Sequence, residues 1–206
     1  MKNILLSMIT LASIVFASGF ITSLAPCQDT NVVSVQPNDE NQTINMFVTH
    51  GHCSTPFSGI VENLKVIPSI REDLGNPLEN MEISFEIDPN SFAVCAGDDL
   101  TKSIKTPGLF IGENHEKITF RSTEVYTMGI DWYQVNGFLS IKGIEKSVKL
   151  FVTGVRKPEN TMPSSLVLQG QLDLFDWSID FNKIVNGISD PVPTKWMYLN
   201  MKIEMS

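Results

Sequence analysis

From about residue 43 onward, apolar and polar side chains alternate over short runs separated by turn residues. A period of two marks a strand with one buried and one wet face. The clearest run sets Met81, Ile83, Phe85 and Ile87 against Glu82, Ser84, Glu86 and Asp88. Leu166, Leu168, Gly170, Leu172 and Leu174 oppose Gln169, Gln171 and Asp173 in the same way. Near the C-terminus Met197, Leu199, Met201, Ile203 and Met205 share a face opposite Asn200, Lys202 and Glu204. Residues 43–50, 58–67, 118–125, 131–141 and 147–155 complete a set of eight predicted strands. Turn signals separate them: Pro68 with Asp73-Leu74-Gly75-Asn76-Pro77, then Met128-Gly129, Lys142-Gly143 and Lys157-Pro158-Glu159-Asn160.

One helical segment interrupts this pattern, over residues 97–105, with Asp98 or Asp99 as its cap and Thr106-Pro107-Gly108 as its stop. Eight antiparallel strands with short connections make an all-β barrel or a two-sheet sandwich, and closure into a barrel removes the edges that a long meander exposes. An eight-stranded barrel has an interior that side chains fill or that holds one small ligand. The segment 97–112 is a candidate lid, because Leu100, Ile104 and Leu109 are spaced to cover one barrel end and Gly108 and Gly112 are placed as hinges.

Composition narrows the function classes. With 42% hydrophobic and 18% charged residues in a chain of 206, a folded globule is expected. The net charge of −8 argues against nucleic acid, whose phosphates require clustered positive charge. The first 26 residues stand apart: after Lys2 no charge occurs until Asp29, and the aliphatic run ends in the small residues Ala17, Ser18 and Gly19. This predicts an export signal over residues 1–26, with residence in the periplasm or cell envelope. Leu24-Ala25-Pro26-Cys27 is similar to a lipobox, with Pro26 where Gly or Ala is usual, so Cys27 is a candidate lipid anchor for membrane association. Residues 27–42 form a polar tether, and the barrel domain occupies residues 43–206.

Cysteine and histidine leave alternatives open. Cys53 and Cys95 either pair in an oxidising compartment or are two separately buried thiols. In Thr49-His50-Gly51-His52-Cys53, His50 and His52 have a spacing that suits Zn or Cu, but a third ligand is needed. The alternative reading places His50 on the inner face behind Ile44, Met46 and Val48, and we favour it over a metal site. No phosphate loop, Gly-x-Ser-x-Gly elbow, His-Glu-x-x-His or Cys-x-x-Cys is present, which predicts a protein that is not an enzyme and has no cofactor.

The run Lys117-Ile118-Thr119-Phe120-Arg121-Ser122-Thr123, followed by the stretch from Tyr133 through Gly137-Phe138-Leu139 and Lys142-Gly143 to Val148, resembles the YceI-like family of exported polyisoprenoid-binding proteins. Pro56-Phe57-Ser58-Gly59 and the stretch from Glu86 to Phe92 add to the likeness. This chain departs from the family at His115-Glu116, where many members have a Pro, and at the late run Leu174-Phe175-Asp176-Trp177-Ser178, so rim and headgroup contacts are expected to differ. The resemblance implies a lipocalin-like barrel whose apolar interior takes an isoprenoid-type amphiphile, such as a quinone or a polyprenyl lipid. The candidate lining is Met46, Met197 and Met201 with Phe85, Phe92, Phe110, Phe120, Trp132, Phe138 and Trp177, since thioethers and rings adapt to a flexible chain. A stripe of this kind also serves as plain core. The alternative function is therefore a barrel filled by its own side chains, acting as an interaction or metal-binding module of the cell envelope. Oligomeric state is left open by the sequence, with Trp196 and Tyr198 as outer-face contacts for a dimer.

Overall fold

The alternation along the chain becomes a ladder in space. The structure is a computed structural model that describes residues 42–50, 53–67, 78–94, 97–160, 163–181 and 195–204, all within the unit Ser34–Ser206. Among them run β1 (Gln42–His50), β2 (Cys53–Ile67), β3 (Glu82–Ile87), β4 (Ala93–Val94), α1 (Asp98–Ile104), β5 (Ile118–Gly129), β6 (Trp132–Ile141), β7 (Ile144–Val155), β8 (Ser165–Asp173) and β9 (Trp196–Glu204). Neighbouring strands pair antiparallel in the order β1-β9-β8-β7-β6-β5-β3-β2, and the pairing of β1 with β2 closes the ring. The result is an eight-stranded antiparallel barrel, with one short α-helix among the described residues. Closure leaves no long edge for another chain to extend.

Two devices make closure work. β2 has 15 residues and pairs with β1 through Val61, then with β3, with a register shift between Glu62 and Lys65 and Asn63 at φ 49°. Such a bulge bends the strand and sharpens its twist, so one strand serves two directions. The short β4 covers Phe57 and Ser58 at the edge of β2 that β3 does not reach. At the other device, Lys142 and Gly143 (φ 54° and 72°) join β6 to β7 directly after the pair Ile141 and Ile144. Positive φ at both central residues is the hairpin geometry whose twist matches the strands.

Local ends differ from expectation in instructive ways. Gly97 at φ 121° occupies the cap position of α1 without a side-chain hydrogen bond, and Asp98 and Asp99 lie in its first turn instead. There their charges suit the helix dipole. β5 and β7 extend beyond the predicted 118–125 and 147–155. Leu174 leaves the strand to start the 3-10 turn Leu174–Trp177; its own N–H donates to the Lys195 carbonyl at 2.6 Å, and the next N–H, that of Phe175, donates to the Asp173 carboxylate at 3.0 Å.

The core lies inside the ring. Val48, Val61, Tyr133, Val135, Val152, Leu168 and Met201 are fully buried. The two mouths are closed differently. At the end holding the β6–β7 turn, the connection from β3 to β5 folds over the opening. At the opposite end, Asp131 at the β5–β6 turn pairs with Arg156 beyond β7.

Candidate functional site

Inside the ring, side chains from seven strands converge on a wholly apolar space. Ile44 and Met46 from β1, Phe85 and Ile87 from β3, and Ile118 from β5 form one side. Leu139, Ile141, Leu150 and Leu172 form another, with Met197 and Leu199 from β9. Phe110 completes the lining, and it comes from the connection between α1 and β5 rather than from a strand. No polar side chain faces the space.

The cavity measures about 20 Å³. That is room for about one water, which requires two to four polar partners that this wall does not offer. The space is therefore dry and nearly filled by side chains.

The mouth above it is sealed by aromatics. Phe57, Phe92 and Phe110 meet with ring centroids 5.3, 5.4 and 5.7 Å apart. Phe92 lies where a side chain at position 59 would be, since a Cβ on Gly59 would stand 2.7 Å from its ring. The rest of the candidate lid packs around this cluster, with Ile104, Leu109 and Ile111 buried and Leu100 partly so. Gly108, at φ 94°, makes the turn in which its N–H donates to the Ile111 carbonyl at 2.8 Å. Lys142 reaches up from the β6–β7 turn and donates to the Gly108 carbonyl at 3.1 Å. Burial holds this ammonium below its ordinary value. Gly112 is pressed against the Glu116 carboxylate, which also approaches Gly143. The second connection at this end contributes Trp177, whose indole N–H donates to the Ile144 carbonyl at 2.9 Å.

The YceI-like domain profile matches residues 35–198. The chain belongs to the YceI-like family. BcnA of Burkholderia cenocepacia has a similar structure, with a TM-score of 0.60 at 12% identity over 81% of this chain and 96% of that one. A YCEI protein of Campylobacter jejuni is a looser likeness, with a TM-score of 0.47 at 15% identity over 71% and 81% of the two chains. A comparison with curated proteins gave no match.

Within this YceI-like barrel the predicted lining residues divide into three groups. Met46, Phe85, Phe110 and Met197 line the cavity. Phe92, Phe120, Trp177 and Met201 are buried but do not line the cavity. Trp132 and Phe138 are corrected: both are on the outside. Trp132 is 46% exposed, and Phe138 carries the Arg121 guanidinium over its ring at 4.5 Å. The reason is strand phase, because Tyr133, Val135, Leu139 and Ile141 occupy the buried positions of β6 and leave the even-numbered residues outward. Gly137 also faces inward, its side-chain space taken by the Phe120 ring, 2.7 Å from where a Cβ would be.

The aliphatic majority of the wall was missed in favour of rings and thioethers. Its signal was the same period-two phase, read strand by strand. His52, Cys95 and Cys27, and the side chains of His50 and Cys53, lie outside the described residues. So do the export signal, Met205 and most of the tether. Among the described residues no three His, Cys, Asp or Glu stand together as a metal site, and no helix is long and apolar enough to cross a membrane.

Proposed function

We propose that this YceI-like protein is a non-catalytic carrier that takes the isoprenoid-type tail of an amphiphile, a quinone or polyprenyl lipid, into its barrel. The observation that carries this reading is the cavity wall: it has no polar side chain, and its seal, Phe110, sits on a connection instead of a strand. A seal on a connection moves without breaking the ladder. The family resemblance supplies the ligand class. A cavity of about 20 Å³ holds no such tail, so loading requires Phe110 to withdraw and Met46 and Met197 to change rotamer, which thioethers do at little cost. The headgroup remains at the rim beside Gly108 and Lys142. Export, with Cys27 as lipid anchor, would put the carrier next to its membrane source.

The same small volume favours the second reading, a filled barrel that acts through its surface. Native mass spectrometry of the protein purified from its own source, followed by solvent extraction, decides between them. The carrier predicts a co-purifying amphiphile of several hundred daltons with an isoprenoid tail, lost in Phe85→Asp protein that remains folded by circular dichroism. A bare polypeptide mass that stays bare after incubation with ubiquinone or undecaprenyl phosphate refutes the carrier. The same spectrum reports whether Cys27 carries lipid.

A further inference from the structure

The outer wall carries a groove between two stacked aromatic pairs. With a volume of about 490 Å³, it crosses β1, β9, β8, β7 and β6 on the outside of the barrel. Phe47 and Tyr198 stack at one flank, with centroids 5.2 Å apart and planes at 14°. Trp132 and Phe151 stack at the other, at 6.5 Å and 30°. Between the flanks, Gln169 and Gln171 of β8 and Asn200 of β9 form the floor with Gly170. The register sets this arrangement: Phe151 is opposite Gln169, Gln169 opposite Asn200, and Gln171 opposite Tyr198. The flanks are therefore roughly 10 Å apart, two inter-strand spacings.

From this geometry we infer a binding groove for a neutral saccharide chain. Three properties point to that class. Phe47, Trp132 and Phe151 are 37%, 46% and 37% exposed, so each ring, although stacked on one side, keeps surface for contact with the C–H face of a sugar ring. The carboxamides of Gln169, Gln171 and Asn200 make no side-chain hydrogen bond among the described residues, and each both donates and accepts, as a hydroxyl does. No charged side chain lines the groove, and Lys149 and Lys202 on neighbouring positions stand outside it.

Other occupants fit less well. Burial against an apolar protein surface would strip three amides of water without partners, at a cost of about 1–3 kcal/mol each. An anionic membrane surface calls for basic residues, which the groove lacks. Cross-strand aromatic pairs do stabilise sheets, but that role explains neither the concavity on a convex wall nor the free amides between the pairs.

The test is titration of the full chain with maltohexaose, cellohexaose and chitohexaose, read by Trp fluorescence and by amide NMR shifts. Saturable binding is expected with at least one, with shifts confined to β1 and β6–β9. Trp132→Ala and the pair Gln169→Ala with Gln171→Ala should weaken it roughly tenfold or more, the equivalent of one good contact. Phe138→Ala, an outward aromatic away from the groove, should leave it unchanged. All are surface changes, and matched melting curves show that the fold is retained. Absence of saturable binding by all three sugars at millimolar concentration overturns the proposal. So does binding that Trp132→Ala leaves intact, or a concentration-dependent dimer abolished by Phe47→Ala, which would assign this face to a second copy of the chain.

Discussion

Replacing Phe110 by alanine isolates the seal from the barrel. The ring is fully buried, lines the cavity and touches Phe57 and Phe92. Removing a buried phenyl from a close-packed core costs about 3–5 kcal/mol, from lost transfer energy and from the void left behind. Here the void joins a cavity of about 20 Å³ that is already present, so collapse around it is limited. For a domain of this size that loss corresponds to a fall in Tm of roughly 6–20 °C. The enlarged space is lined by Ile, Leu, Met and Phe, and such a cavity stays dry and accepts small apolar guests. A guest at about 100 times its Kd returns about 2.7 kcal/mol. The assay is urea unfolding of wild type and variant, each with and without benzene or a short isoprenoid alcohol. Loss of stability with recovery by the guest in the variant alone is expected. A loss below about 1 kcal/mol refutes the packing argument, since it places Phe110 where the site can collapse or where it was never packed.

Other consequences can be checked in parallel. Gly59→Ala drives a methyl to within 2.7 Å of the Phe92 ring and 3.1 Å of Ile87; overpacking predicts a loss of about 1–3 kcal/mol, and a double-mutant cycle with Phe92→Leu should show the two changes are coupled. Arg156→Met leaves Asp131, 8% exposed, without its main partner; we expect a loss of about 2 kcal/mol, below the fully buried case because Arg156 is partly exposed, with much of it recovered by adding Asp131→Asn. Hydrogen bonds from Asn63 and Lys117 hold the Glu86 carboxyl below its ordinary 4.5, so its contribution is full above that value and is lost as the pH falls through the lower folded-state value. Lys117→Met should therefore reduce stability near neutrality and converge with wild type in acid, as followed by pH-dependent melting. Gly108→Pro should slow or block loading of an isoprenoid probe by stopped-flow fluorescence, because Gly108 is at φ 94° and proline is confined to negative φ; unchanged loading and exchange would exclude this connection as the lid.

Much of the barrel was legible because a period-two pattern is a statement about faces. Eight alternating runs with turn residues between them predicted the eight strands of the ring, and the helical segment between the third and fourth of them became α1. Edge avoidance then favoured closure, which the pairing of β1 with β2 supplies. The seal was legible as well, from Ile104 and Leu109 next to Gly108.

What the strand pattern could not decide was which of two side chains wins a given volume. Phe120 and Gly137 share one space, as do Phe92 and Gly59 and Leu150 and Gly170, and each pairing joins residues from different strands or connections. Cavity size is the remainder after all such competitions, so no local pattern contains it, and only the closed ring gives a nearly filled interior. The places of Trp132 and Phe138 were within reach of the sequence, since their phase opposes Tyr133, Val135 and Leu139; aromatic character drew them inward where period put them out. Their neighbours across the sheet were not within reach. Phe47 meets Tyr198, and Trp132 meets Phe151, only because register across five strands brings positions far apart in the chain onto one outer wall. Composition and period thus determined the strands and their faces, while pairing and closure decided how much space is left inside and what is assembled outside.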